Sequence, residues 1–552
     1  MHAPLTPFGA VPNERQLFHY RLGKKAFFHV GINTFTGNEH GDGKESPALF
    51  APTDMDVDSW VRTARDAGFS LAILVCKHHD GFCLWPTKST EHSIKNSPYR
   101  DGHGDVVREF ADACKAYGLY MGVYLSLWDR HTALYGTPAY NDYYITQLTE
   151  LLTDYGPIHE VWWDGCGSVG AGLDIERCAA VVRRLQPEAA IFGALGAADV
   201  VDLRWCGNEA GKVAEGHFAS IEREMIRVED TRVLNRGTYG ASSYVPAEVD
   251  TSIRPGWFYH ASQDDKVKSE ETLNRLWFSS TGRNAQQLLN FPVDPRGRIH
   301  ETDRANAIAS HETVARMLRC DLMAGATVQA SSTLDAEHAV GALDEEDGFF
   351  VAADTTVTLD ITLPEERRIN VLHLGEQVTL GERIHTLILE RLDEDGTATV
   401  LCRTPSVGFR RAELFDAVTV RRLRLTLCGD ACPTVRFLSL HYFDGSTVDP
   451  ATVRGRNLMA SPEAKASVSE DRKSAVLNFG GIYPFRKVTA RMGGMGLVRL
   501  YTFDGFDYHK LYEGVATSEE LEIFLDREID DAYQIRLETE RPFDANPAFY
   551  VG

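Results

Sequence analysis

The sequence lacks any stretch that could anchor the chain in a membrane. No segment approaches the roughly 20 consecutive apolar residues that a membrane-spanning helix needs. The first residues, Met1 to Gln16, contain neither a basic segment nor a long apolar run, so they do not resemble a secretion signal. We therefore expect a cytoplasmic protein that does not associate with membranes.

Positive charge and paired cysteines are also scarce. The chain has 57 Lys and Arg against 79 Asp and Glu, a formal net charge of −22. An excess of negative charge repels phosphate backbones, which argues against nucleic acid as a partner. The ten cysteines form no CxxC pair and no metal-ligand spacing, so we expect reduced thiols and no metal site. The sequence does not indicate an oligomeric state.

The length of 552 residues predicts several domains, of which the first is the largest. Short apolar runs alternate with longer amphipathic segments up to about residue 318, as in repeated βα units around a parallel sheet. The predicted strands are Phe27–Ile32, Leu71–Cys76, Tyr120–Leu125, Glu160–Trp163, Ala190–Gly193, Val201–Trp205, Arg254–Tyr259 and Gln287–Phe291. The predicted helices are Val57–Ala67, Asp105–Tyr117, Asn141–Asp154, Ile175–Leu185, Glu270–Ser280 and Thr302–Leu318. Eight units of this size predict a (β/α)8-like barrel over residues 1–318, distorted in the irregular segment Gly207–Asp250.

Residues 319–446 show period-two alternation instead, for example in Val357–Leu363 and Val418–Leu425, which predicts a β-sandwich. The segment Val328–Leu343 resembles the start of a discoidin-like carbohydrate-binding module. The run Phe349–Val351 replaces the Trp that commonly follows, which argues against sugar binding there. Residues 447–552 contain short strand patterns, of which Leu497–Thr502, Leu521–Leu525 and Tyr533–Leu537 are the clearest. They predict a further small β-rich domain, interpreted as a second sandwich.

Polar and aromatic residues follow the predicted barrel strands, at the ends where the active sites of parallel barrels lie. They are His29, Asn33, His78, His79, Tyr124, Trp128, Asp164, Glu209, Trp257, His260 and Asn290. Asp164 and Glu209 follow different strands and could supply the two carboxyl groups of a glycosidase. The alternatives are purely structural: Asp164 could cap a helix, and Glu209 could be a solvated loop residue. The pair His78 and His79 could be structural, could bind a metal with Asp80, or could contact sugar hydroxyls.

Several motifs in this order resemble glycoside hydrolase family 29, the α-L-fucosidases, over nearly all of residues 17–300. They are FFHVGINTF (27–35), GDGKE (41–45), KHHDGFCLW (77–85), EVWWDG (160–165) and RPGWFYH (254–260). The GDGKE, GNEAG (207–211) and RPGWFYH segments look like the subfamily that acts on branched α-1,3/1,4-linked fucose.

The resemblance implies a role for individual residues. Asp164 matches the nucleophile and Glu209 the acid/base, with Glu215 and Glu248 as alternatives for the second role. The positions that match fucose contacts are His29, Glu45, His78, His79, Tyr124 and Trp257, and Trp128 is a further candidate substrate-binding residue at the end of the third strand.

The implied activity is that of a retaining exo-α-L-fucosidase on Lewis-type glycans, with neither metal nor organic cofactor. Its substrates would be fucosylated oligosaccharides or glycoconjugates. The alternatives are a broad-specificity or α-1,2-active fucosidase, and a non-catalytic carbohydrate-binding protein.

Overall fold

A computed structural model of the chain describes residues 5–168, 171–193, 196–344, 347–444, 456–457, 465–491, 496–503, 508–516, 520–542 and 550–551. The residues group into two compact units. One unit comprises Met1–Arg367, Leu372–Glu413 and Val420–His441, and the other comprises Arg368–Val371, Leu414–Thr419 and Tyr442–Gly552. Within the part of the chain that the structure describes, no helix combines the length and apolar character that a bilayer crossing requires.

Eight parallel strands close into a barrel in the order of the sequence, which confirms the predicted fold of the first part of the chain. The strands are β1 (Lys24–His29), β2 (Leu71–Lys77), β3 (Tyr120–Leu125), β4 (Glu160–Trp163), β5 (Ala190–Gly193), β6 (Leu203–Trp205), β7 (Ala247–Ser252) and β8 (Gln286–Pro292). Buried Phe27, Leu71, Ile73 and Leu288 contribute to an apolar cluster in which β1, β2 and β8 take part. This packing fixes the strand ends, and therefore the residues that follow them.

Six of the helices in this part of the chain lie close to their predicted positions, and four short helices, Glu14–Leu22, Ile32–Thr36, Arg223–Arg227 and Thr231–Arg236, were not predicted. The six predicted helices are observed at Val57–Asp66, Val106–Tyr117, Ala139–Asp154, Ile175–Leu185, Glu270–Ser279 and Glu301–Arg319. The carboxylates of Asp56 and Asp174 accept backbone N–H groups in the first turns of their helices, so both act as N-caps. Gly118 ends its helix in the left-handed conformation, with φ of 73°.

The seventh barrel strand is not the predicted one. Arg254–Tyr259 lies after the sheet as a loop, and Ala247–Ser252 takes the place between β6 and β8. The true strand was missed because Glu248 and Asp250 look like solvated residues, whereas all six residues of β7 are buried. The irregular segment before it adds two short helices and a two-stranded sheet, Ser220–Ile221 with Ser243–Tyr244, while the barrel itself remains closed.

Buried charges occupy part of the barrel interior. Lys25 Nζ lies 2.8 Å from Glu160 Oε2 and also pairs with Glu248, and all three side chains are fully buried. Trp162 Nε1 donates to Glu248 Oε1 at 2.8 Å. Burial and the charge of Glu248 raise the pKa of Glu160 well above its usual value. The buried carboxylate of Glu248 on β7 is therefore satisfied by protein partners rather than by solvent.

Antiparallel sheets follow the barrel, consistent with the predicted β-sandwich domains. The first sheet contains Thr327–Ala330, Thr356–Gly375, Ile384–Leu392, Ala398–Thr404, Arg411–Gly429 and Phe437–His441, and a two-stranded sheet pairs Phe350–Val351 with Thr434–Val435. The predicted alternation is present, since Val357, Leu359, Ile361 and Leu363 are buried. The segment with discoidin resemblance contributes the strand Thr327–Ala330 and a 3₁₀ turn at Val340–Asp344.

A seven-stranded antiparallel sheet forms the last part of the chain. Its strands are Arg456–Asn457, Lys465–Val468, Ser474–Arg491, Gly496–Phe503, Tyr508–Ala516, Glu520–Thr539 and Tyr550–Val551. The predicted strands Leu521–Leu525 and Tyr533–Leu537 are two parts of the single strand Glu520–Thr539. Its pairing with Ser474–Arg491 shifts register three times, which explains why the sequence pattern is interrupted. The domain boundaries at 318/319 and 446/447 stay predictions.

Candidate active site

A pocket of about 320 Å³ opens at the carboxyl ends of the barrel strands. Seven of the predicted site residues line it together: His29, His78, His79, Tyr124, Asp164, Glu209 and Trp257. The remaining lining residues are Phe27, Glu39, His40, Trp162, Gly165, Cys166, Phe192, Trp205, Glu229 and Asp250. Residues from β1 to β7 thus meet in one cavity, although they are more than 200 positions apart in the sequence.

The strand ends set the position of each side chain. His29 is the last residue of β1, Tyr124 is the fifth of six residues in β3, and Asp164 directly follows β4. Parallel strands carry their ends to one edge of the barrel, so these side chains converge. The polar residues that follow these apolar runs do line one cavity.

The carboxylate of Asp164 accepts two hydrogen bonds in the pocket. Tyr124 Oη donates to its Oδ2 at 3.0 Å and the Cys166 backbone N–H donates to its Oδ1 at 2.7 Å. His79 Nε2 lies 3.6 Å from Oδ2. Burial raises the pKa of Asp164 above its usual value, and the two hydrogen bonds act in the opposite direction. Since 24% of the side-chain surface still faces the cavity, an entering ligand would contact this carboxylate directly.

Three histidines form one wall of the pocket. His29 Nδ1 lies 2.8 Å from Asn290 Oδ1, and His79 Nδ1 lies 2.7 Å from Ser126 Oγ. The ring of His78 stacks on Tyr124 with 5.8 Å between ring centroids. Burial lowers the pKa of His29 to about 3 and that of His79 to about 3, and it lowers the pKa of His78 well below its usual value. All three are therefore neutral near pH 7 and can both donate and accept hydrogen bonds.

Glu209 lies at the mouth of the pocket on the loop after β6. Trp257 Nε1 donates to its Oε2 at 3.2 Å. Although the Glu209 side chain is exposed in the free protein, the pocket walls raise the pKa of its carboxyl, and the charge of Asp164 acts in the same direction. Gly207 allows this loop its shape, since φ is 86° and a Cβ would lie 2.7 Å from the carbonyl oxygen of Thr231.

The loop that carries Trp257 is held by Glu39, a residue that sequence reasoning missed. Glu39 Oε2 accepts the backbone N–H groups of Trp257 at 3.0 Å and Phe258 at 3.3 Å. Its other oxygen lies 2.6 Å from His260 Nε2. These contacts replace the sheet hydrogen bonds predicted for Arg254–Tyr259 and direct the Trp257 indole into the pocket.

Two predicted substrate-binding residues, Glu45 and Trp128, are outside the pocket lining. The carboxylate of Glu45 accepts the backbone N–H groups of Asp42 and Gly43, at 2.6 Å and 2.8 Å. It lines a wide groove of about 590 Å³ that shares Glu39 and His40 with the pocket. Trp128 packs against the ring of His79, with 5.2 Å between the ring centroids.

The alternatives Glu215 and Glu248 do not line the pocket either. Glu248 pairs with Lys25 in the barrel interior. The backbone carbonyl of Glu215 accepts Arg411 Nη1 at 2.6 Å, beside the first antiparallel sheet. Glu229 and Asp250 are the further carboxyls that the irregular region contributes to the pocket. The alternation Glu248, Asp250, Ser252 on one face of β7 is the sequence signal that could have located Asp250.

Asp250 is 3% exposed, and Trp205 Nε1 donates to its Oδ1 at 3.1 Å. Burial and the charge of Glu209 raise the pKa of Asp250 well above its usual value. Aromatic side chains surround these polar groups: Trp162 stacks on Phe192 at 4.2 Å between centroids, and Phe27 packs at 5.3 Å from Trp162. The pocket thus combines paired carboxyls and neutral imidazoles with a large apolar wall.

Residues 31–310 match the family described as Alpha-L-fucosidase. Alpha-L-fucosidase 1 of Arabidopsis thaliana is 37% identical over 460 residues, which cover 80% of this chain and 90% of the plant protein. A glycoside hydrolase 29 family member from an unknown rumen bacterium is 29% identical with a TM-score of 0.73, over 99% of this chain and 100% of that structure. A Ruminococcus gnavus GH29 fucosidase, solved in complex with fucose, is 26% identical with a TM-score of 0.74, over 80% and 97% of the two chains.

Proposed function

Because this chain belongs to glycoside hydrolase family 29 and is an α-L-fucosidase, we propose that it is a retaining exo-enzyme for α-1,3- and α-1,4-linked fucose on branched, Lewis-type glycans. The observation that supports this proposal best is that Asp164 and Glu209 line the same pocket, together with several aromatic side chains. A pocket of about 320 Å³ suits one terminal sugar ring.

Asp164 is the nucleophile in this proposal. One of its oxygens attacks C1 of fucose and forms a β-fucosyl ester, while the bond between C1 and the glycosidic oxygen breaks. Glu209 gives its proton to that oxygen and then removes a proton from water. The water oxygen attacks C1, releases Asp164 and yields α-L-fucose.

The surroundings of the two carboxyls support this division of roles. Asp164 accepts two hydrogen bonds, which favour its ionised form, whereas Glu209 accepts one from Trp257. An ionised Asp164 raises the pKa of Glu209 and so favours its protonated form. This is the state that the first chemical step requires.

Fucose recognition divides between the histidines and the aromatic wall. Neutral His29, His78 and His79 can donate hydrogen bonds to sugar hydroxyls and accept others from them. Fucose has a methyl group in place of a 6-hydroxyl, and the aromatic rings lining the pocket offer this group an apolar surface.

The linkage preference rests on the groove beside the pocket and on the GDGKE and RPGWFYH motifs. Residues of the 38–45 loop line this groove, and Trp257 stands at the pocket mouth. A galactose on the neighbouring branch would bind here, and binding that strengthens in the transition state raises kcat/KM.

Initial rates of fucose release test the proposal. We expect kcat/KM for a Lewis-type trisaccharide to exceed that for α-1,2-fucosyl-galactose by at least about tenfold. The matched comparison is the disaccharide with α-1,3-linked fucose on N-acetylglucosamine, which lacks the galactose and should be cleaved more slowly than the trisaccharide. Equal kcat/KM values for the trisaccharide and the α-1,2-linked substrate would instead indicate a broad-specificity fucosidase.

A further inference from the structure

We propose that the mouth of the pocket binds a soft divalent metal ion such as Zn²⁺ through His40, His79 and Cys166, and that the bound ion inhibits the enzyme. These residues come from three separate loops. His40 belongs to the 38–45 loop, His79 follows β2, and Cys166 follows β4 next to Asp164. The ion acts as an inhibitor in this proposal and takes no part in the hydrolysis.

The geometry of the three side chains fits a metal ion. One nitrogen of each imidazole and the Cys166 sulfur all lie within 4.8 Å of one another. In a tetrahedral zinc site, bonds of about 2.0–2.3 Å separate neighbouring ligand atoms by roughly 3.5 Å. His40 and Cys166 are exposed, so small side-chain movements can close the remaining gap.

His79 provides the fixed point of the site. Its Nδ1 is occupied by Ser126 Oγ at 2.7 Å, and Ser126 Oγ in turn donates to the backbone oxygen of Trp128 at 2.7 Å. This leaves Nε2 for a metal ion. Outer hydrogen bonds of this kind orient histidine ligands in metal sites and increase their affinity.

Asp164 explains why binding would inhibit. Its Oδ2 lies 3.6 Å from His79 Nε2, so an ion bound to this nitrogen would lie beside the carboxylate. An ion held there would occupy the nucleophile and obstruct the pocket. Two imidazoles and a thiolate select Zn²⁺ over Mg²⁺ or Ca²⁺, which prefer oxygen ligands. The Cys166 thiol loses one proton to solvent as its sulfur binds the ion.

Cobalt substitution tests the site directly and independently of the proposed function. We expect Co²⁺ to bind the full-length protein at one site, with a thiolate-to-cobalt charge-transfer band that Zn²⁺ abolishes. Cys166→Ser should remove this band. Cys320→Ser, which changes another exposed cysteine, should retain it. A band that persists in Cys166→Ser, or no band in the unchanged protein, would overturn the proposal.

Inhibition provides the second measurement and rests on the fucosidase activity. Zn²⁺ should inhibit competitively with substrate, and a chelator should restore the rate. Relative to the uninhibited rate of each variant, Cys166→Ser and His40→Ala should each raise the inhibitory Zn²⁺ concentration by at least about tenfold. Unchanged sensitivity in both variants would show that the ion acts elsewhere.

Discussion

Single residues determine the chemistry of the pocket through their immediate partners. Asp164 is surrounded by hydrogen-bond donors, whereas Glu209 accepts one hydrogen bond and lies at the pocket mouth. Glu229 and Asp250 bring two further carboxyls to the same cavity. The assignment of the acid/base therefore needs a test that distinguishes proton donation from other effects.

Removal of Glu209 should affect substrates according to their leaving groups. A sugar alkoxide needs a proton to depart, whereas fluoride or dinitrophenolate does not. We expect Glu209→Ala to lose on the order of 10²–10⁴-fold in kcat/KM on a Lewis-type oligosaccharide and much less on fucosyl fluoride. With fucosyl fluoride as substrate, azide should restore the turnover of Glu209→Ala, because azide attacks the β-fucosyl ester without deprotonation. The product should be α-fucosyl azide.

The same measurement on Glu229→Gln and Asp250→Asn provides the comparison. Both variants keep a polar side chain in the pocket, and neither should show azide rescue. If Glu209→Ala were impaired equally on every leaving group and one of these variants were rescued, the acid/base role would move to that residue.

Buried histidines predict a loss of stability in acid. Burial lowers the pKa of His29 to about 3, while an unfolded histidine titrates near 6.5. Between these values the unfolded chain binds the extra proton, so the free energy of unfolding falls as the pH falls from about 6.5 toward 3. For His29 alone this amounts to about 2 kcal/mol between pH 7.5 and pH 5.

His29→Gln removes this titration and keeps a polar side chain. Thermal unfolding midpoints of both proteins at pH 7.5 and pH 5 measure the difference. The variant should be less stable than the unchanged protein at pH 7.5, yet its midpoint should fall less on acidification. Parallel shifts in the two proteins would contradict the expected role of His29.

Part of the candidate site could be predicted from the sequence because barrel topology brings the strand ends together. His29, Tyr124 and Asp164 follow directly from their positions after apolar runs. Glu45 and Trp128 are not in the pocket lining, because Glu45 accepts backbone N–H groups of its own loop and the Trp128 ring packs against that of His79. His40, Glu39 and Cys166 lie in loops whose shape no periodic pattern reports.

Whole elements were predictable where one face is apolar and less so where polar groups are buried. The helix predicted at Val57–Ala67 is observed at Val57–Asp66, with Asp56 as its cap. Strand β7 was missed because its inward residues are Glu248, Asp250 and Ser252. Such a strand is stable only when residues on the neighbouring strands supply hydrogen bonds or opposite charges to its buried polar groups. The sequence does not show which residues those are.

The ion cluster on β1, β4 and β7 can be tested by removal of its cation. Lys25→Met would leave Glu160 and Glu248 buried without a positive charge, which should cost about 3–5 kcal/mol of unfolding free energy.

Glu248→Gln relieves the repulsion between the two carboxyls and keeps an acceptor for Trp162. It should destabilise less and retain fucose release, as measured by thermal unfolding and initial rates. If Glu248→Gln instead lost fucose release and azide restored its turnover, Glu248 would again be a candidate for the acid/base.

At the scale of the molecule, a buried carboxylate links the barrel region to the first antiparallel sheet. Glu382 accepts the backbone N–H groups of Ala219 and Ser220, each at 2.9 Å, and Asn284 Nδ2 at 2.6 Å. The change from period 3.6 to period two near residue 319 predicted the sheet. It did not predict this contact, because charged residues far apart in sequence give no signal of pairing.

Glu382→Ala would leave four donors without their acceptor, because the Ser220 hydroxyl also donates to this carboxylate, at 2.7 Å. Each unsatisfied buried donor costs about 1–3 kcal/mol, so we expect a loss of about 3 kcal/mol or more in unfolding free energy. Glu365→Ala, which removes a mostly exposed carboxylate, should change stability by less than about 0.5 kcal/mol. Equal unfolding midpoints for the two variants would show that the Glu382 contacts contribute little.

The central claim is a covalent intermediate on Asp164. Asp164→Ala should lower kcat by on the order of 10³-fold or more with the fold intact, because the ester cannot form. Asp142→Ala, a change at a carboxylate with 77% of its side-chain surface exposed, should leave the rate near that of the unchanged enzyme.

Trapping of this intermediate is the most direct test. With 2-deoxy-2-fluoro-fucosyl fluoride, the fluorine at C2 slows both formation and hydrolysis of the ester, whereas the fluoride leaving group speeds its formation alone, so the ester accumulates. Digestion and mass spectrometry should then find one fluorofucosyl group per chain, attached to Asp164, and none in Asp164→Ala. A label on another carboxyl, or no label together with β-L-fucose as the first product released from natural substrate, would contradict the account.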